Sequence, residues 1–111
     1  MDQYISPQDL NRYLGRELTL TIVDLRSEQE FEQGHIPTAI NIPGDQLADR
    51  MIEIPDDGVI VVYCGAQSSE GGPCQQAYDL LVRTGHTAQI LEGGLAGWQE
   101  FERTTPEKVR K

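Results

Sequence analysis

A continuous apolar run near the middle of the chain constrains the fold more than any other feature. Val59–Val62 is entirely β-branched, and Tyr63 extends the run to the next residue. A strand without polar alternation must be covered on both of its faces, which is typical of the middle of a parallel sheet. The run therefore predicts an α/β protein with this strand at its centre.

Cys64 follows at the carboxyl end of the predicted strand, and a loop of small and polar residues separates it from Pro73, a suitable first residue of a helix. Open α/β sheets bind ligands at strand carboxyl ends, and N–H groups entering a helix form a cradle for an anion. Cys64 is therefore the candidate nucleophile, although a cysteine can also be an inert packing residue. The polar, glycine-bearing loop favours the reactive interpretation, because a reactive thiolate needs exposure and hydrogen-bond donors. The candidate substrate-binding residues are Gly65, Ala66, Gln67, Ser68 and Ser69.

The remaining segments alternate between helix and strand signals. Ser27 and Glu30 have capping-box spacing at the start of one short helix, and Gly34 is placed to end it. Asp45 is predicted to cap a further helix that carries Leu47 and Met51. In chain order, the other predicted elements are a helix from Pro7 to Leu14, a strand from Leu18 to Asp24, a brief strand between Pro37 and Pro43, a helix from Pro73 to about Thr84, a strand at Ala88–Ile90 and a helix through Leu95, Trp98 and Phe101.

Length and charge set limits on the class of protein. The chain has 111 residues and a formal net charge of −9, which predicts one domain over residues 1–111 with a polar, frayed tail from about residue 103. An acidic body argues against nucleic acid and anionic membranes as partners. Two cysteines do not make a disulfide framework, and no segment predicts a signal peptide or a transmembrane helix. We therefore expect a soluble cytoplasmic protein with no metal and no cofactor.

Three sequence blocks follow one another in the chain: Val23–Arg26 with Glu30, Phe31, Gly34–Pro37 and Ala39; Val61–Cys64; and Leu91–Gly94 with Trp98. In this order and spacing they resemble the single-domain rhodaneses, a family of small α/β sulfurtransferases. The resemblance implies a doubly wound domain, with a central, mostly parallel sheet flanked by helices on both faces. It also implies that Cys64 carries sulfur as a persulfide, taken from a small donor such as thiosulfate or a persulfide. A thiol would accept the sulfur, and a sulfur-relay protein is a further candidate partner.

The chain departs from the family pattern in the loop after Cys64, which is longer than is typical. Gln67 occupies the expected glycine position, Ser69 occupies the expected arginine position, and Glu70 adds a negative charge. An anionic donor would therefore meet backbone N–H groups but no loop cation, and a charge-assisted hydrogen bond contributes ~1.5–3 kcal/mol. The sequence predicts that thiosulfate is a poor donor.

A second departure is Cys74, which the sequence places in the first turn of the helix that begins at Pro73. The helix dipole would favour its thiolate, so Cys74 is a candidate redox partner of Cys64. The alternative is a buried cysteine with a packing role, because a disulfide requires the two Cα atoms within ~7 Å. Both interpretations remain open at the level of sequence.

Three classes of function are compatible with these features. The first is a sulfurtransferase, and the second is a cysteine phosphatase or arsenate reductase. The second is disfavoured because phosphoryl chemistry needs fixed positive charge, and the segment from Cys64 to Cys74 has no Lys or Arg. The third is a redox-sensing or protein-interaction module that has lost transfer activity. Asp24, Arg26 and Glu30 are interpreted as a structural ion pair that fixes the following turn, and His35 as a structural residue.

Overall fold

The computed structural model describes residues 3–14, 19–65 and 72–104. Two short 3-10 helices, Gly44–Gln46 and Ala48–Glu53, lie between the third and fourth strands of this part of the chain. The strands and α-helices are, in chain order, β1 (Tyr4–Ile5), α1 (Pro7–Leu14), β2 (Leu20–Asp24), α2 (Glu28–Gln33), β3 (Ile40–Asn41), β4 (Val59–Tyr63), α3 (Pro73–Arg83), β5 (Thr87–Leu91) and α4 (Gly94–Thr104).

The described strands form one parallel sheet of five strands in the order β1-β5-β4-β2-β3. β4 is central and pairs with β2 along its whole length, from Leu20 opposite Val59 to Asp24 opposite Tyr63. Because every strand runs in the same direction, the segments after β2 and β4 emerge side by side at one edge of the sheet. This edge is where an α/β sheet positions its ligands.

Successive residues of β4 enter two separate cores. Ile60 and Val62 belong to the core that α3 covers, whereas Val61 and Tyr63 belong to the core that α1 and α4 cover. All four residues are fully buried. The prediction of a strand covered on both faces is confirmed, and so is the doubly wound arrangement with helices on both sides of the sheet.

β2 and β4 lie at a switch point of the topology. The connection after β2 contains α2, whose Phe31 packs on the α1–α4 side. The connection after β4 contains α3, which packs on the opposite side. The two connections diverge at the carboxyl ends of neighbouring strands, and such a divergence leaves a crevice for ligands.

Several local predictions are confirmed. Pro73 is the first residue of α3, and Ser27 and Glu30 form both hydrogen bonds of the capping box at the start of α2. Ser6 caps α1 by accepting a hydrogen bond from the N–H of Asp9 at 3.1 Å.

The prediction that Asp45 caps a helix is wrong. Asp45 lies inside the first 3-10 helix, and no side chain caps that segment, which follows Pro43. The second 3-10 helix is interrupted at Arg50, whose φ of −116° and ψ of 19° are not helical. Leu47 is nevertheless buried, and Met51 packs against the core as the apolar pattern predicted.

Other differences concern the ends of elements. β1 was not predicted, and it joins the sheet edge beside β5. Leu18, the predicted start of β2, lies outside the described residues. α4 continues to Thr104, and the rest of the predicted tail, residues 105–111, also lies outside them. Within the described segments, no helix combines the length and the apolar character needed to cross a bilayer.

Candidate active site

Cys64 is the first residue after β4, and hydrogen bonds from α4 hold its backbone. The N–H of Leu95 donates to the carbonyl oxygen of Cys64 at 2.7 Å, and the N–H of Ala96 donates to that of Gly65 at 3.0 Å. The first N–H groups of a helix have no partner within the helix, so these bonds satisfy both segments at once. Cys64 is thereby fixed at the crevice, with its side chain partly buried.

The corner before α4 allows this close approach because it contains glycines. Gly93 has a φ of +76°, and a Cβ atom on it would lie 2.9 Å from the Cα of Gly97. A Cβ on Gly97 would lie 2.7 Å from the carbonyl oxygen of Glu92. Side chains at these positions would push the start of α4 away from the Cys64 backbone. The sequence reasoning missed this role, although the Glu92-Gly93-Gly94 block was its signal.

Cys74 is the second residue of α3, and only 1% of its surface is exposed. It belongs to the core between α3 and the sheet, and Cys64 packs against the same core from its edge. The two Sγ atoms are 2.6 Å apart, in a contact where either thiol can be the donor. The structure thus brings together two cysteines that are separated by nine residues of sequence.

This separation between the sulfur atoms is close to bonding distance. A disulfide bond is ~2.05 Å long, so the sulfur atoms would have to move toward each other by roughly half an ångström to bond. The sequence could not show whether the two cysteines lie close together, and the structure shows that they do. Cys74 is both a core residue and a neighbour of the candidate nucleophile.

A buried ion pair fixes the loop after β2, beside Cys64. Asp24 is fully buried and accepts hydrogen bonds from the Arg26 guanidinium at 2.7–3.1 Å. Arg26 also donates to the carbonyl oxygen of Gly34 at 2.7 Å, and its side chain is only 10% exposed. Hydrogen bonding to Asp24 raises the pKa of Arg26 above its already high ordinary value. The predicted structural ion pair is confirmed for Asp24 and Arg26, whereas Glu30 takes part in the capping box of α2.

Tyr63 connects this ion pair to the strand that carries Cys64. Its hydroxyl donates to Oδ2 of Asp24 at 2.7 Å and accepts from the N–H of Ile36 at 3.2 Å. Burial raises the pKa of Tyr63 far above its ordinary value, and the hydrogen bond to Asp24 adds to the shift. The hydroxyl is therefore a neutral structural donor next to the site. His35, predicted to be structural, stacks on Phe31 and contacts its carbonyl oxygen at 2.9 Å.

A surface cavity of about 400 Å³ opens beside the start of α3. Gly44 and Pro73 form part of its wall, together with Asp45 and Gln76. The cavity offers space for a small ligand, and neither cysteine is among the described residues that line it.

The described residues cover only part of the predicted binding loop. Gly65 lies directly after Cys64, with the Cδ atom of Arg26 3.6 Å from the position a Cβ would take. The other predicted binding residues lie outside the described residues, namely Ala66, Gln67, Ser68 and Ser69. The described segments contain no group of three or more His, Cys, Asp or Glu side chains arranged to hold a metal ion.

A parallel α/β domain with a cysteine at the end of its central strand is the class that this fold and site define. The family model of the rhodanese-like domain matches residues 6–101. The chain belongs to the rhodanese-like family, which confirms the resemblance seen in its sequence blocks.

Relatives that are named for different functions share this domain. A sulfurtransferase from Allochromatium vinosum is 33% identical over 95 residues, which cover 85% of this chain and 85% of that protein. An HTH-type transcriptional regulator from Mycobacterium tuberculosis is 39% identical over 83 residues, which cover 72% of this chain but only 34% of the regulator. The chain thus matches about a third of the regulator's length.

Solved structures agree with the fold. A rhodanese-related protein from Thermoplasma volcanium superimposes with a TM-score of 0.77 at 26% identity, over 90% of this chain and 93% of that one. The likeness therefore extends over nearly the whole of both chains.

Proposed function

We propose that this protein is a rhodanese-type sulfurtransferase in which Cys64 carries sulfane sulfur as a persulfide. The observation that carries the proposal is the position of Cys64, at the carboxyl end of the central strand and with its backbone held by α4. Membership of the rhodanese-like family and the similarity to a sulfurtransferase over 85% of both chains support it.

The transfer takes place in two exchange steps. The Cys64 thiolate attacks the outer sulfur of a donor persulfide, a new S–S bond forms on Cys64, and the donor leaves as a thiolate that takes up a proton. An acceptor thiolate then attacks the outer sulfur on Cys64 and becomes the new persulfide. Cys64 leaves as a thiolate, so neither step changes the overall oxidation state.

The charges near Cys64 favour a neutral or protein-bound persulfide over thiosulfate as the donor. The segment from Cys64 to Cys74 contains no Lys or Arg and includes Glu70. Arg26 follows the end of β2, the strand beside β4. Its guanidinium already donates hydrogen bonds to Asp24 and to the carbonyl oxygen of Gly34, where it stabilises the fold. A thiol, either free or on a sulfur-relay protein, is the proposed acceptor.

Intact-mass measurement tests the proposal. Wild-type protein is incubated with thiosulfate, with a low-molecular-weight persulfide, or with a cysteine desulfurase and cysteine, and is then desalted. We expect Cys74→Ser to gain one sulfur atom and Cys64→Ser to gain none; the wild type is sampled at once, because its second cysteine offers a route by which the added sulfur is lost. Cys74→Ser is the matched control, because it removes the other cysteine and should still gain sulfur. Sulfur on Cys64→Ser, or no gain by both the wild type and Cys74→Ser from any donor, would refute the proposal.

A redox-sensing module is the second candidate function, favoured by the 2.6 Å contact between the two sulfur atoms. The similarity to a transcriptional regulator is compatible with a sensing or interaction role. The two candidates differ in the mass experiment, because a sensor without transferase activity would gain no sulfur. A phosphatase or arsenate reductase is disfavoured by the absence of Lys and Arg between Cys64 and Cys74.

A further inference from the structure

We propose that Cys74 is a resolving thiol, which attacks the persulfide on Cys64, releases the carried sulfur as sulfide and leaves an internal disulfide. This inference rests on the proposed transferase function for its sulfur chemistry. It adds a second activity, the reduction of sulfane sulfur to sulfide, at the expense of the cysteine pair.

The two sulfur atoms are already in contact in the structure. At 2.6 Å, the Sγ of Cys74 is already within reach of the Cys64 sulfur, which is the inner sulfur of a persulfide. An apolar packing role explains why Cys74 lies in the core, but it does not require contact with the candidate nucleophile. Thiol–disulfide exchange does require this approach of one sulfur to another.

The difference in burial between the two cysteines sets the order of events. Cys74 is 1% exposed, whereas Cys64 is partly exposed at the crevice. An external donor therefore reaches Cys64 first, and Cys74 meets only what Cys64 carries. Because Cys64 is the more exposed of the two, sulfide released from it can leave to solvent.

The chemistry balances without an external oxidant. The Cys74 sulfur bonds to the Cys64 sulfur, the bond between Cys64 and the sulfane sulfur breaks, and the electron pair leaves with the sulfane sulfur. The proton of the Cys74 thiol goes to the departing sulfide. The sulfane sulfur is reduced and the two cysteines are oxidised. A dithiol or a low-molecular-weight thiol then restores the pair by exchange.

The same geometry gives a parallel route after oxidation by a peroxide. A peroxide converts the Cys64 thiolate to a sulfenic acid, and Cys74 displaces hydroxide from it, which leaves the same disulfide and water. This route does not depend on sulfur transfer. It therefore allows the cysteine pair to be tested even if the transferase proposal fails.

The persulfide experiment compares the wild type with Cys74→Ser and Cys74→Ala. Each protein is loaded with a low-molecular-weight persulfide and desalted at once, and then sulfide and intact mass are followed with time. The wild type should release one equivalent of sulfide and lose two hydrogens relative to its reduced mass. Both variants should keep the added sulfur and release no sulfide. Cys74→Ala guards against a folding defect, since it places no hydroxyl in the apolar core, and the fluorescence of Trp98 reports the fold of each variant.

The second arm uses hydrogen peroxide on protein that has not been loaded. Because the chain contains only two cysteines, a monomer that loses two hydrogens in the wild type and in neither Cys74 variant contains the Cys64–Cys74 bond. The wild type should form this species, and both Cys74 variants should proceed to sulfinic acid on Cys64. Sulfinic acid in the wild type, a disulfide that links two chains, or equal persulfide lifetimes in wild type and variants would overturn the inference. If neither the wild type nor the Cys74 variants gain sulfur but the wild type forms the internal disulfide with peroxide, the transferase proposal and the sulfide release fail, and the disulfide pair is retained.

Discussion

Tyr63→Phe should destabilise the protein strongly, although it removes only one oxygen atom. The Tyr63 hydroxyl donates to the buried carboxylate of Asp24 and accepts from the N–H of Ile36. Ile36 is fully buried, so its N–H would have no water to replace the lost acceptor. The substitution therefore removes one charge-assisted hydrogen bond and leaves one buried donor without its acceptor.

The size of the effect follows from these two contributions. A hydrogen bond to a charged group contributes about 1.5–3 kcal/mol, and a buried unsatisfied N–H costs about 1–3 kcal/mol. Oδ2 of Asp24 keeps its hydrogen bonds from Arg26, which moderates the first contribution. We expect a loss of roughly 2–4 kcal/mol in the free energy of unfolding, a large part of the ~5–15 kcal/mol typical of a small domain.

Urea unfolding measures this loss directly. Trp98 is the sole tryptophan of the sequence and is 1% exposed, so its fluorescence should change on unfolding. Tyr4→Phe is the matched control, because it makes the same chemical change on a side chain that is 49% exposed. The control should change the stability by less than about 0.5 kcal/mol. A Tyr63→Phe loss as small as that of the control would show that the hydroxyl does not hold the network together.

The pH dependence of the same variant gives an independent check. The pKa of Tyr63 is raised in the folded state, whereas the unfolded tyrosine titrates near ~10. Below this pH both states keep the proton, and the contribution to stability is complete. As the pH rises above about 10, the unfolded state loses its proton first, so the wild type loses stability. Tyr63→Phe lacks this group, and the difference between the two proteins should therefore narrow at alkaline pH.

Two further predictions concern α2 and the loop. Ser27→Ala removes the capping hydrogen bond to the N–H of Glu30 and should lower the free energy of unfolding by about 1 kcal/mol in urea titrations; an unchanged midpoint would mean that the cap is not needed for stability. Glu70→Gln or Ser69→Arg should raise the rate of sulfur transfer from thiosulfate, most clearly at low salt, where charges are least screened. Rates that do not change at low salt would show that the loop charge does not face the donor.

The central strand and the helix starts could be predicted because their signals are local. Val59–Tyr63 has no polar alternation, and its side chains enter both cores. Pro73 fixes a helix start through its own backbone geometry. The apolar positions around Asp45 were also correct, but 3-10 and α-helical segments share a similar spacing over so few residues. β1 has only two residues, too few for a strand pattern to be recognised.

The site was predictable only in part because its contacts join distant residues. Cys64 could be proposed as the nucleophile from its position after an apolar strand, which is a local signal. The hydrogen bond from Tyr63 to Asp24 spans 39 residues, and Tyr63 alone resembled one more apolar residue of the run. The proximity of Cys74 depends on where α3 packs against the sheet, which no short pattern contains. The sequence could therefore offer a redox partner or a packing residue, and it could not decide between them.

The arrangement of the two cysteines follows from elements that are anchored independently of the loop between them. Hydrogen bonds from Leu95 and Ala96 hold Cys64 and Gly65, while the packing of α3 on the sheet holds Cys74. The close approach of the sulfur atoms is therefore set by the core of the domain. In the proposed mechanism, changes of charge at Ser69 or Glu70 should alter which donor loads Cys64 without altering how Cys74 resolves it.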